Sequence, residues 1–239
     1  MSQPGAVLVE FLGLPGVGKS ELSRRVADRF TKGAGTVDQP SYVLAHDMGK
    51  AERRLWKSVH VLREFLSHPV ASIAAIRAIS ATRQRSRRTR WKLIFNWLLV
   101  VDLARQARRH PGLHLLDQGV LQAMWSVALD DDSDAALALL RVKATRLALP
   151  DIVVLVEADL ATVQQRLGSR PHGDSRLDRE PGRMPELLSR GEALLQRIRV
   201  AVGQLDRARI ISVRNDADTD LQDLTSTVVQ ALAAGHGGA

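Results

Sequence analysis

The stretch "EFLGLPGVGKSEL", residues 10–22, decides the fold. Within it Gly13-Leu14-Pro15-Gly16-Val17-Gly18-Lys19-Ser20 satisfies the G-x-x-x-x-G-K-[ST] pattern at every position. Glycines at these places let the backbone curl so that successive N–H groups face one anion, and the following helix N-terminus adds positive potential. Lys19 then reaches the outer phosphates, Ser20 can ligate Mg²⁺, and Glu21 extends the set into the first helical turn. The flanks supply the context that the pattern requires. Residues 6–12 (AVLVEFL) form an apolar run fit for a buried strand, and Leu22, Val26 and Phe30 recur at helical spacing. Strand, glycine loop and helix together predict nucleotide binding; an ordinary glycine turn would leave the eight-residue match unexplained.

Composition bounds the rest. The 239 residues suffice for one α/β domain with a full core, and the expected organisation is a single domain over 1–239. There are no cysteines, which excludes a disulfide scaffold, a Cys-ligated zinc site and a thiol nucleophile. The N-terminus lacks the pattern of a secretory signal, and the most apolar later stretch, "LIFNWLLVVDLA", is too short to span a bilayer and carries Asn96 and Asp102. A cytoplasmic address without membrane attachment follows. A net charge of +8 suits anionic ligands, phosphates as readily as nucleic acid.

Outward from the glycine loop, a weaker strand is expected around 36–45, with Pro40 marking it as an edge. From about 50 to 110 the periodicity is helical throughout: Leu55, Val59, Leu62 and Leu66, then Ile73, Ile76 and Ile79 after Pro69, then Trp91, Ile94, Phe95, Leu98 and Val101. A third strand covers 113–116. A helix then follows, and a second one opens near Ser133 and closes before Pro150. Strands at 152–156 and 209–213 alternate with helices over 159–167, 185–205 and 218–233, the first of them capped by Asp159. Short strands separated by helices predict a five-stranded parallel sheet in a three-layer α/β sandwich, with ligands at the carboxyl ends of the strands.

The third strand's apolar run stops at Asp117, where an acid can face the metal or its waters, and that reading is favoured over a turn-forming Asp before Gly119. A GTPase switch would require D-x-x-G here and N-K-x-D later, and neither is present. Kinases instead close a positively charged loop over the transferred group. Arg166, Arg170, Arg176 and Arg179 lie in and beside the segment 169–185, which has little periodicity.

With "GLPGVGKS" and "LLDQG" preceding it, "LPDIVVLVEADLATVQQRLGSRPHGDSRLDR" resembles the thymidylate kinase and nucleoside/nucleotide kinase group of P-loop proteins. The resemblance covers most of the chain in order and weakens between 36 and 111. It implies ATP and Mg²⁺ as cofactors and a small-molecule acceptor. Gly13, Pro15, Gly16, Val17, Gly18, Lys19, Ser20 and Glu21 would form the donor-phosphate loop, and Arg166 would lie over the adenine, bordered by Asn215 and Asp216. Residues 169–185 would be a LID, with Arg170 and Arg176 meeting the phosphates and Asp178 as a hinge carboxylate. Ser20 and Asp117 would organise the metal, with Lys19 and Asp117 catalytic.

The departures matter as much. Thymidylate kinases carry Asp-Arg where this chain has Asp117-Gln118, and Gln118 supplies no charge to grip an acceptor phosphate. Asp38-Gln39-Pro40 lies at a place similar to the family's Arg-Glu-Pro, so a neutral hydroxyl compound, a nucleoside or another acceptor is expected, with Asp38 or Asp47 as the base.

The helical stretch 50–110 would form an enlarged acceptor side. Its run "RAISATRQRSRRTRWK", residues 77–92, has no acid and almost no aromatic interleaving, so a solvated connection is favoured over nucleic-acid binding. Asp102 is expected to pair with Arg105 or Arg109 or to line the acceptor pocket. The acids Asp130, Asp131 and Asp132 are expected to face a helix N-terminus. A regulatory or nucleic-acid-associated ATPase is the alternative, and a homodimer is left open.

Overall fold

A computed structural model describes residues 5–32, 37–39, 49–131, 136–141, 143–169, 181–205 and 208–236. Its centre is strand β1 (Ala6–Leu12), paired in parallel with β3 (Gly112–Leu116) on one side and β4 (Ile152–Glu157) on the other. Strand β2 (Val37–Asp38) adds to β3 and β5 (Arg209–Arg214) to β4, giving the order β2-β3-β1-β4-β5 with every pair parallel. A strand flanked on both edges and covered on both faces needs an apolar run rather than alternation. Leu8, Val9, Phe11 and Leu12 are accordingly all buried, as are Val153 to Val156 beside them. Each such side chain contributes about 1.5–3 kcal/mol relative to exposure.

Helices lie on both sides of the sheet. Helix α1 (Lys19–Lys32) packs on α9 (Leu221–His236), and α4 (Arg87–Ala107) packs on α5 (Val120–Ala128). Two further helices, α2 (Lys50–Ser67) and α3 (Pro69–Ala81), lie against α4. Pro69 occupies the first turn of α3, where its missing N–H costs nothing. The Ser86 hydroxyl caps α4 by accepting from Thr89 N at 3.0 Å.

Helices α6 (Lys143–Ala148), α7 (Leu160–Gly168) and α8 (Met184–Gly203) complete the chain, with 3₁₀ turns at Leu137–Arg141 and Pro181–Arg183. Asp159 caps α7 as expected, accepting from Thr162 N at 2.8 Å. The single helix expected over 133–149 is instead a 3₁₀ turn followed by the short α6.

The end of the sheet away from the glycine loop is closed by an ion pair. Asp151 accepts from Leu8 N at 2.8 Å and from Arg108 Nη2 at 2.9 Å, and the same guanidinium donates to Leu149 O. This clamp joins the turn after α4 to the start of β4 and fixes the strands in register beneath the site.

One expectation for the helical stretch is corrected by packing. The stripe Leu55, Val59, Leu62 and Leu66 has the expected period but faces outward, and Asp102 pairs with neither Arg105 nor Arg109. It is held by His60 and Arg63 of α2 across the α2–α4 contact, while Arg105 faces Glu64 of α2 at 3.4 Å. Asp130 and Asp131 follow the end of α5 rather than preceding a helix, and Asp130 pairs with Arg85 at 3.2 Å. Among the described residues no helix is long and apolar enough to cross a membrane.

Candidate active site

The turn from β1 into α1 places the glycine loop at the carboxyl end of the central strand, where an open parallel sheet binds its ligands. Gly16 and Gly18 have φ of 96° and 90°, a region side chains rarely enter. Space enforces the same choice at Gly18, where a Cβ would lie 2.5 Å from Asn215 Nδ2. Gly13 is fixed by a close approach instead: a Cβ there would meet Val156 O at 2.3 Å.

Lys19 Nζ donates to Gly13 O at 2.7 Å and Leu14 O at 2.8 Å, so its ammonium is drawn over the loop from the first turn of α1. Ser20 Oγ donates to Asp117 Oδ2 at 3.1 Å. That bond joins residues 97 apart in sequence and brings the end of β3 to the loop. The other carboxylate oxygen, Asp117 Oδ1, is shielded from solvent and has no hydrogen-bond partner among the described residues. An unsatisfied carboxylate oxygen next to a serine hydroxyl is a donor set suited to a hard divalent cation and its waters. Gln118 is exposed immediately beyond it.

The far side of the glycine loop is tied together by the loop after β5. Asn215 Nδ2 donates to Val17 O at 2.8 Å, and Arg166 of α7 donates to Asn215 O at 2.8 Å and Asp216 O at 3.1 Å. Arg166, Asn215 and Asp216 are therefore brought together beside the loop. Asp216 in turn accepts from Asp159 N at 2.8 Å and from Arg214.

Other expected residues are placed elsewhere. Glu21 is turned to the surface of α1, where the hydrogen bond from Arg24 leads in holding its carboxyl below the usual range, with Arg25 beside it. Asp38 lies level with His114 in the β2–β3 register, three residues short of Asp117, and its Oδ2 is 3.4 Å from His114 Nδ1. That contact raises the imidazole pKa, helped by His114 Nε2 facing His110 O at 2.8 Å. Gln39 donates to Ser23 O at 2.8 Å and so fastens β2 to α1. Asp47, Arg170, Arg176 and Asp178 lie outside the described residues.

Two site residues escaped the sequence reading, Glu10 and Gln122. Glu10 sits in the central strand with no solvent exposure, and its carboxylate accepts from Leu121 N at 3.1 Å and Gln122 N at 2.7 Å, the open first turn of α5. Burial drives its pKa up to about 7 against the lowering effect of these backbone donors. Gly119 has no room for a side chain because a Cβ would lie 2.3 Å from the Glu10 carboxylate. Gln122 Oε1 in turn accepts from Gly13 N at 3.4 Å. Glu10 thereby connects the Asp117 turn, α5 and the glycine loop. The one sequence signal was an acid inside an apolar strand.

No family model matches this sequence, and no curated protein does. Solved structures do. A thymidylate kinase from Candida albicans superposes with a TM-score of 0.56 over 98% of this chain and 94% of its own, at 12% identity. The chain has the fold of that kinase. A deoxyadenosine kinase from M. mycoides, solved with bound dATP, gives 0.52 at 14% identity over 94% of this chain and 98% of its own. A thymidylate kinase from Ehrlichia chaffeensis gives 0.53 at 13% identity over 96% and 100%. Near-complete mutual coverage means that the helices on either side of the sheet are part of the shared architecture.

Proposed function

We propose that this protein is an ATP- and Mg²⁺-dependent kinase that transfers a phosphoryl group to a small-molecule acceptor, nucleoside- or nucleotide-like. The observation that carries this reading is the Ser20–Asp117 contact at the glycine loop, with Asp117 Oδ1 shielded and unsatisfied. The fold shared with nucleoside and nucleotide kinases supports it.

The amides of Gly16 to Ser20 bind the donor phosphates, and Lys19 exchanges its carbonyl partners for phosphate oxygens. Ser20 and Asp117 hold Mg²⁺, which when bound neutralises charge on the donor phosphates. Arg166, held by Asn215 O and Asp216 O, presents the plane of its guanidinium to the adenine. Arg170 and Arg176 supply positive charge to the transferring group from the segment 169–185, acting as a LID. The acceptor hydroxyl oxygen bonds to the terminal phosphorus as the bridging P–O bond breaks, and ADP leaves. Asp38, whose Oδ2 lies 3.4 Å from His114 Nδ1, and Asp47 are the two candidates to receive its proton. Gln118 borders the acceptor, reading it through an amide rather than a charge.

The test is a screen of nucleosides, nucleotides, sugars and aminoglycoside-like compounds for acceptor-dependent ADP release. K19A and D117N are each expected to lower that rate by about 100-fold or more. An ATP-binding protein whose hydrolysis no compound raises would defeat the kinase reading and favour a regulatory ATPase.

A further inference from the structure

One face of helix α5 meets the glycine loop twice. Gln122 and Trp125 lie three positions apart, so they leave the helix on the same side. Gln122 reaches Gly13 N, and Trp125 Nε1 donates to Gly191 O of α8 at 2.9 Å. Leu14, the next residue of the loop, completes this contact. A Cβ on Gly191 would lie 2.8 Å from Trp125 Cζ2 and 2.9 Å from Leu14 Cδ2. All three residues are buried. Gly191 stands inside the 20-residue α8, where glycine is the poorest helix former after proline. Its φ is not positive, so space and not backbone conformation requires the missing side chain.

We propose that Trp125 and Gly191 are positioning residues for the phosphate-binding loop, forming a seat for Leu14 that sets where Lys19 rests. The ammonium of Lys19 lies on Gly13 O and Leu14 O, the carbonyls of the two residues that α5 and α8 hold. Leu14 O also accepts from Val17 N at 3.4 Å, so a shift of Leu14 moves the turn of the loop together with the lysine.

Carbon atoms settle in contact at about 3.5–4.0 Å, and a methyl group on Gly191 must therefore push its neighbours by roughly 0.6 Å or more. Trp125 is pinned by its hydrogen bond, so Leu14 is the side that yields. Displacements of that order are enough to misplace a phosphate-binding group. Because α5 begins just after Asp117 and Gln118, with its first turn held by Glu10, the donor loop and the acceptor turn share one support. The ligand named for the test, Mg·ATP, rests on the kinase reading.

Titration calorimetry of Mg·ATP into the full chain tests the seat. G191A is expected to weaken binding about tenfold and L14A severalfold. The double variant G191A/L14A should bind no more weakly than L14A alone, since the added methyl then fills space the leucine has left. A glycine with a purely structural role would instead lower the melting temperature and leave the affinity of the folded fraction unchanged, or give losses that add in the double variant; either result overturns the proposal. W125F keeps a ring in the seat but loses the N–H, and should weaken binding about threefold, which keeps the test open if G191A folds poorly. Of the four tryptophan indole N–H resonances, the one missing in W125F should shift as Mg·ATP is added to wild type, and its staying fixed through saturation would also overturn the proposal. A wild type that binds no Mg·ATP defeats the kinase reading itself, whereas wild-type binding matched by G191A defeats only the seat.

Discussion

Glu10 and Asp102 are both shut away from solvent, one in the central strand and the other in the helical flank, and their surroundings have opposite effects. Glu10 meets only neutral donors, the amides at the start of α5, and burial raises its pKa to about 7. Burial also opposes the charge on Asp102, but hydrogen bonds from His60 and Arg63, and their nearby charge, outweigh it and hold the group at about 2. A buried carboxylate keeps its charge when it is matched by full charges; backbone dipoles alone leave it near the balance point. The Glu10 carboxylate is thus held by amides, and that of Asp102 by charged partners.

The largest expected break in this contrast is D102L, which strands Arg63 and His60 against an apolar neighbour. We expect a loss of about 3 kcal/mol in urea unfolding, at the low end for buried pairs because Arg63 keeps access to water. ATP binding per folded molecule should be unchanged, since nothing in that cluster touches the loop.

The substitution E10Q should cost less stability and more function: about 1–2 kcal/mol, because Leu121 N and Gln122 N donate to different carboxylate oxygens and one of these becomes an NH2 donor facing an N–H. The rate should fall about tenfold as the Asp117 turn and Gln122 loosen. The same variant sharpens the comparison with pH. A folded-state pKa raised from 4.5 to about 7 means that the native chain holds a proton the unfolded chain has lost, so stability falls as pH rises across that window. Glu64, buried against α4 and also raised to about 7, acts in the same direction. E10Q should therefore flatten the slope in part and E10Q/E64Q further, with the raised His114 contributing in the same direction. Asp102 acts in the opposite sense, its contribution being lost as pH falls from about 3.8 towards 2.

The smallest effect belongs to N215A, which removes the Asn215 bond to Val17 O. About 1 kcal/mol of stability and a severalfold rise in the KM for ATP are expected, with little change in kcat.

Much of the fold was legible because it rests on local signals. The loop glycines, the Pro69 start, the Asp159 cap and the apolar runs of β1 and β4 each state their conformation within a few residues. Period was also readable in α2, but not which face turns inward, since that depended on Asp102 some 40 residues away. Asp38 is a similar case: its place two residues before a proline was visible, whereas its level in the sheet follows from pairing with β3. At the site, Lys19, Ser20 and Asp117 were legible because strand ends and loop motifs fix them. Glu10 and Gln122 were not, because their role exists only once α5 docks its first turn over the central strand.

The position of Glu10 also bears on how the chain is made. Strand β1 leaves the ribosome before β3 and β4, its two partners, have been synthesised. Through that interval "AVLVEFL" is a seven-residue apolar segment with free edges on both sides, the kind that nucleates aggregation. In water Glu10 is ionised at neutral pH, and its charge guards the nascent strand against self-association. The proton taken up on burial then lets the same residue enter the middle of the sheet.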